Sequence, residues 1–349
     1  MSKINPEFSK KINKFGAFDL NACYNCGNCT AVCSLSTKEN SFPREMVRYS
    51  VLGLEDDIKG SLKPWLCYYC GECSTHCPQT ANPGELMMSL RRWLTAKYDW
   101  TGLSGLLYKS LPISLMAFIL VLAGVIFYAF KMDFNQESIM HFGHYFEMFA
   151  IGAVFLFILV PNIARMWYFT VLKDKPKIKF GKYFKVLGSL FIHMFTQKQT
   201  LGCDESRSRW FLHLVLVFGY LTLLATTVAL DWFGTDNSII IALGYIEAFL
   251  VFSITIIFML GRISKTREMS KFSQPSDIFF IVWLFLMGLT AFAVRLFIDL
   301  DLLTTNFWLY LAHLTILAQW AIIIVPFGKW THFLYRSFAM YFEELKAQK

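Results

Sequence analysis

Residues 23–33 read CYNCGNCTAVC, and residues 67–78 read CYYCGECSTHCP. Each stretch has the spacing C-x2-C-x2-C-x3-C, and together they hold eight of the chain's nine cysteines. This is the spacing of two-cluster [4Fe–4S] proteins. A cube needs four thiolates, and one short loop can wrap only three of its corners. In two-cluster proteins the fourth cysteine of each run serves the other cluster. The spacing therefore predicts Cys23, Cys26, Cys29 and Cys77 around one cluster. It predicts Cys67, Cys70, Cys73 and Cys33 around the second. Gly27 and Gly71 occupy the same place in each run, where the backbone must pass close to the inorganic sulfides. Pro78 turns the chain away after the last ligand, and Ser34 stands at the matching place in the first run.

Zinc and disulfides are the other uses of clustered cysteines. A structural zinc site takes four ligands from paired C-x2-C motifs. A third cysteine at the same interval, twice over, has no role in one. Disulfides need an oxidising compartment, and the opening MSKINPEFSKKINKFG is polar and basic, without the apolar stretch of a secretory signal. Between the runs, Met46, Val47, Val51 and Leu54 recur at helical intervals behind Pro43. Residues 81–100, ANPGELMMSLRRWLTAKYDW, read as another helix behind a proline. The head, residues 1–105, is thus expected to be an α-helical ferredoxin-like domain. Trp93, Tyr98 and Trp100 suit a membrane headgroup belt beneath it.

Residues 106–349 read as membrane. Of the 349 residues, 55% are hydrophobic and 35 are phenylalanine. The mean hydropathy is +0.44, too apolar for an ordinary soluble protein. The net charge of +8 does not indicate nucleic acid, because the lysines cluster beside apolar spans, as the positive-inside rule requires. A spanning helix needs about 20 apolar residues. Six stretches supply them: 111–130, 145–170, 210–230, 238–260, 277–298 and 306–327. Pro161 should kink the second and Pro326 end the sixth. The connections 173–183 and 261–272 are rich in lysine and arginine, whereas Asp231, Asp236, Asp299 and Asp301 mark the opposite side. The head and both termini are therefore expected on the cytoplasmic face of the cell's inner membrane. Residues 184–195 are too short to cross. Val186, Leu187, Leu190, Phe191 and Met194 give them one apolar face for the membrane interface.

Of the seven histidines, several sit where the iron of a b-type haem could reach them. His213 lies one turn inside the third span and His332 just past the inner end of the sixth, at one membrane depth. Gly219 should leave room there for a porphyrin face. His193 could replace one of this inner pair. An outer haem would need His313, with His144 or His141 opposite. His313 and His332 are 19 residues apart, about 100° around an ideal helix, so they do not share one stripe. Such histidines can also be structural, although polar groups within a membrane are costly and tend to be functional. Arg165 and Arg295 could pair with haem propionates and Glu247 could take a quinol proton, or all three could be structural. Cys203, the ninth cysteine, is read as an ordinary thiol.

These residues carry a resemblance. The head resembles the C subunit of heterodisulfide reductase. The membrane part is similar to the E subunit of that enzyme and to the γ subunit of respiratory nitrate reductase, through SRWFLHLVLVFGYLTLL around His213 and the stretch from His313 to His332. The fusion of the two resembles the C subunit of the quinone-interacting membrane-bound oxidoreductase. One departure is that Leu223 and Leu224 stand where the nitrate reductase pattern has a second histidine. The resemblance implies an electron-transfer subunit linking menaquinone, one or two b haems and two [4Fe–4S] clusters. It also implies soluble flavin- and Fe–S-containing partners related to heterodisulfide reductase. The quinone pocket is sought beside Gln197, Lys198 and Arg209. Two other classes remain open: a non-haem Fe–S membrane anchor or redox-sensing subunit, and a transporter with an Fe–S regulatory head. The spans lack the paired broken helices and buried charges that the last should show.

Overall fold

The computed structural model describes residues 3–173, 178–198, 201, 207–234, 236–265 and 268–347; Cys203 and residues 174–177 of the first lysine-rich connection lie outside them. Among the described residues the regular structure is helical, with no strand. Six helical stretches are long and apolar enough to cross a membrane: Leu111–Lys131, Gln136–Leu172, Arg207–Leu230, Ser238–Ser264, Pro275–Asp299 and Trp308–Ala347, the last broken after Phe327. Span ends carry unpaired N–H groups that hydrocarbon cannot satisfy, and local side chains take them. Ser110 accepts from Ile113, Asn135 from Ser138 and Asn237 from Ile239. Gln274 and Asp277 form a capping box behind Pro275.

Two prolines shape the longest helices. Pro161 has no N–H to donate to the Phe157 carbonyl. The ladder opens into a π turn at Phe155–Leu159, and the Trp100 indole donates to that carbonyl at 2.9 Å. Trp100 is exposed and ties the head to the second span. Pro326 follows a second π turn, Trp320–Ile324. As expected, the sixth span's helix stops just after it, at Phe327. Beyond the Gly328 turn the chain begins a closing helix, Thr331–Ala347, which the hydropathy pattern did not separate.

The fourth and fifth spans pack closely through small residues. A Cβ on Gly288 would meet Phe252 N and Val251 Cγ1 at 3.0 Å and Ala248 O at 3.1 Å. Backbone cannot give way as a flexible side chain can. Gly288→Leu is expected to cost about 1–3 kcal/mol, read as a lower thermal midpoint in detergent. Gly124→Ala, whose methyl meets nothing within 4 Å, should not lower it.

Short helices and loops build the head around the helix Pro83–Tyr98. Trp93 and Tyr98 sit inside this core rather than in a headgroup belt. Trp93 meets Phe8 edge-on at 5.2 Å, and Tyr98 meets Tyr335 at 5.5 Å. Aromatic residues with a polar tip suit a belt and a core equally, and here the closing helix decides. Tyr335, Ala339, Phe342 and Leu345 of that helix share one apolar cluster with Phe8, Trp65 and Trp93. On Arg44–Leu52, Met46 and Val47 are buried but Val51 is exposed. The short helix Leu187–Thr196 buries Leu190 and His193 and leaves Phe191 exposed. Its inner face is therefore rotated from the expected stripe.

Candidate functional site

The two cysteine runs fold alike. Asn25 and Tyr69, each two residues past the first cysteine of its run, take left-handed conformations with φ of 59° and 56°. Their N–H groups donate to Cys23 Sγ and Cys67 Sγ, both at 3.4 Å. Gly27 and Gly71 follow, with φ of +96° and +92°, and each opens one turn of helix. Only glycine adopts such angles freely. The backbone is thereby folded so that N–H groups face sulfur, the arrangement that tunes Fe–S clusters.

Cys33, Cys67, Cys70 and Cys73 line one cavity, together with Gly71 and Gly84. A Cβ on Gly84 would come within 3.7 Å of Cys73 Sγ. These are the four cysteines that the crossed pattern groups together. Among the described residues, no three His, Cys, Asp or Glu side chains converge on a single-ion site. A cube needs thiolates spread around a cavity instead, and this donor set fits it. Burial pushes the Cys33 thiol up to about 11 and also raises Cys67, Cys73 and Cys29. Binding iron would therefore release protons from these thiols. Cys26 is exposed, and Cys23, Cys29 and Cys77 are half-buried. Cys77 Sγ accepts from Ala81 N at 3.4 Å.

A second cavity, of about 500 Å³, lies between the head and the ends of the spans nearest it, and His193, His213 and His332 all line it. His213 Nδ1 lies 2.6 Å from Gln197 Oε1. The His332 ring lies 6.1 Å from that of Trp65. Burial lowers His193 to about 4, and the charge of Arg336 adds to this, so its imidazole is neutral at pH 7. Tyr68 and Tyr69 line both cavities and so form a common wall.

The outer candidates stand apart from this cavity. His313 Nδ1 is 2.8 Å from Thr290 Oγ1, and His144 packs edge-on against Tyr145 at 5.4 Å. Gly219 faces the fourth span, where a Cβ would meet Glu247 Oε2 at 3.0 Å, and it is not part of the cavity lining. Arg165 donates to the carbonyls of Tyr98 and Lys97, and Arg295 pairs with Asp299 one turn away. Gln197 and Arg209 line the large cavity, and Lys198 does not.

Sequence reasoning missed the cations that do line it. Arg91, Arg92, Arg336 and Lys329 reach it from the head helix and from beyond the sixth span. Arg92 pairs with Glu85 at 3.2 Å and Asp277 at 3.0 Å, and Lys329 holds the other Asp277 oxygen at 2.6 Å. Tyr69 donates to Glu85 at 2.6 Å. The doublet Arg91–Arg92, mid-helix in an apolar stretch, was the available signal.

Comparison with known proteins bears on the head alone. Residues 22–82 match the family model of the 4Fe-4S dicluster domain. A protein of Archaeoglobus profundus, similar to the C subunit of heterodisulfide reductase, is 28% identical over 98 residues, which are 28% of this chain and 52% of the relative. The C subunit of the H(2):CoB-CoM heterodisulfide,ferredoxin reductase of Methanothermobacter thermautotrophicus is 34% identical over 76 residues, 22% of this chain and 41% of the relative. An iron-sulfur C subunit of the CoB–CoM heterodisulfide reductase of Methanocaldococcus jannaschii is 28% identical over 99 residues, 26% of this chain and 53% of the relative. The chain thus spans about half or less of the length of these relatives. No solved structure matches it. The N-terminal head is a 4Fe-4S dicluster domain similar to the C subunit of heterodisulfide reductase, joined here to six helices long and apolar enough to cross a membrane.

Proposed function

We propose that this chain is the membrane electron-transfer subunit of a quinone-linked oxidoreductase. It passes electrons between menaquinone, haem b and two [4Fe–4S] clusters, to or from a soluble partner carrying flavin and Fe–S centres. The observation that carries this reading is the shared wall. One cavity is lined by four cysteines, the next by three histidines, and Tyr68 and Tyr69 belong to both. Residues 1–105 form the cluster-bearing unit and 106–349 the haem-bearing unit. The head and both termini face the cytoplasm, in keeping with the lysine-rich connections.

Haem supplies a one-electron carrier when bound. His213 and His332 would hold it, with His193 as a substitute for one of them. Gln197 accepts from His213 Nδ1 and so leaves Nε2 for iron. Arg209 and Arg336 suit the propionates. A second haem, where bound, would be held by His313 and His144. Quinone binding is sought beside the inner site, near Gln197 and Arg209.

A pyridine haemochrome assay, with reduced-minus-oxidised spectra, tests the proposal. At least one b haem per chain, reducible by a menaquinol analogue, is expected. His213→Ala and His332→Ala should each abolish it, whereas His313→Ala should spare the inner haem. A second equivalent lost in His313→Ala would assign the outer site. No haem in protein that keeps its clusters would leave an Fe–S membrane anchor or redox-sensing subunit.

A further inference from the structure

Arg91 and Arg92 are adjacent on one helix, and both are buried. Their charges are handled in opposite ways. Arg92 has two carboxylates, Glu85 and Asp277. Among the described residues, no carboxylate pairs with Arg91. Its Nε donates to Pro64 O at 2.7 Å, and its Nη2 to Trp65 O at 3.3 Å and to Cys67 O. The guanidinium also lies over the Trp65 ring, 5.9 Å from its centroid, and lines the large cavity. A guanidinium keeps its charge at neutral pH.

A buried charge without a counter-ion costs several kcal/mol. Carbonyl dipoles and a ring face offset part of that cost. The remainder calls for an anion nearby, and the proposed cluster is one. Four thiolates around a [4Fe–4S] core of charge 2+ make a unit of net charge 2−, and one added electron makes it 3−. We propose that Arg91 is the fixed counter-charge of the cluster held by Cys33, Cys67, Cys70 and Cys73, and that it raises that cluster's reduction potential. This rests on the reading of those four cysteines as cluster ligands.

The sign follows from charge. A cation stabilises the 3− form more than the 2− form, so it favours the reduced cluster. The same guanidinium holds the backbone of residues 64–67 by three carbonyls. It therefore positions Cys67, which carries a ligand, and Trp65, which touches His332. Because the charge is buried, salt should screen it weakly.

The test is a redox titration of the full-length chain in detergent, followed by electron paramagnetic resonance. Iron and sulfide are counted in parallel. Arg91→Gln should keep both clusters and shift one to lower potential by at least a tenfold change in the reduction equilibrium, about 59 mV for one electron. Arg91→Lys should return it most of the way. Intact clusters with unchanged potentials in Arg91→Gln would overturn the proposal. If Arg91→Gln loses the cluster, Arg91→Lys decides. A cluster restored near its original potential supports the charge, and a cluster lost again shows that the guanidinium's shape is what matters. A wild-type chain with no [4Fe–4S] signal would instead sink the cluster reading itself.

Discussion

Replacing Cys33 with serine is expected to remove the cluster of the second run and leave that of the first. Cys33 belongs in sequence to the first run, yet it lines the cavity of Cys67, Cys70 and Cys73. The geometry responsible is the single helical turn after Gly27, which carries the chain past its own loop. Iron content should fall from about eight to about four per chain, because each cube holds four irons. The surviving signal should match that of a chain mutated in Cys70. Cys77→Ser should do the converse and disturb the cluster of Cys23, Cys26 and Cys29. If Cys33→Ser removed the first run's cluster instead, the crossed arrangement would be wrong.

Arg92→Ala is expected to cost about 3–5 kcal/mol, the usual penalty for removing one partner of a buried ion pair. Arg92 and Asp277 are each less than a tenth exposed. Removing the arginine takes from Glu85 the cation it pairs with and leaves Asp277 paired with Lys329. The bond between the head helix and the fifth span goes with it. Thermal unfolding in detergent should show a lower midpoint, and limited proteolysis should release the head early. A loss under about 1 kcal/mol would mean that water or another cation replaces Arg92 without difficulty.

The cysteine pattern and the hydropathy of the spans are properties of short, continuous stretches, and both could be read directly. The inner histidines were legible for a similar reason. Membrane depth follows from position along a span, and depth placed His213 and His332 together. Helix rotation does not follow from position. Gly219 faces Glu247 because the fourth span packs on that side, and Leu187–Thr196 is turned by its contact with the closing helix. The arginines needed contacts across long sequence separations. Arg92 meets Asp277 from 185 residues away, and no local window contains both. Trp93 looked like an interface residue because its partner, Phe8, stands at the opposite end of the head.

The closing helix sets an order on biosynthesis. The head leaves the ribosome first, because domains emerge from the N-terminus onward. Its core nevertheless includes Tyr335, Ala339, Phe342 and Leu345, which are translated only after all six spans. Until then the apolar floor of the head, with Trp65 and Trp93, stays uncovered. A chain stalled during membrane insertion would present that floor to proteases and chaperones, whereas a finished one hides it. Residues 331–347 thus act as a completion mark for the folded head.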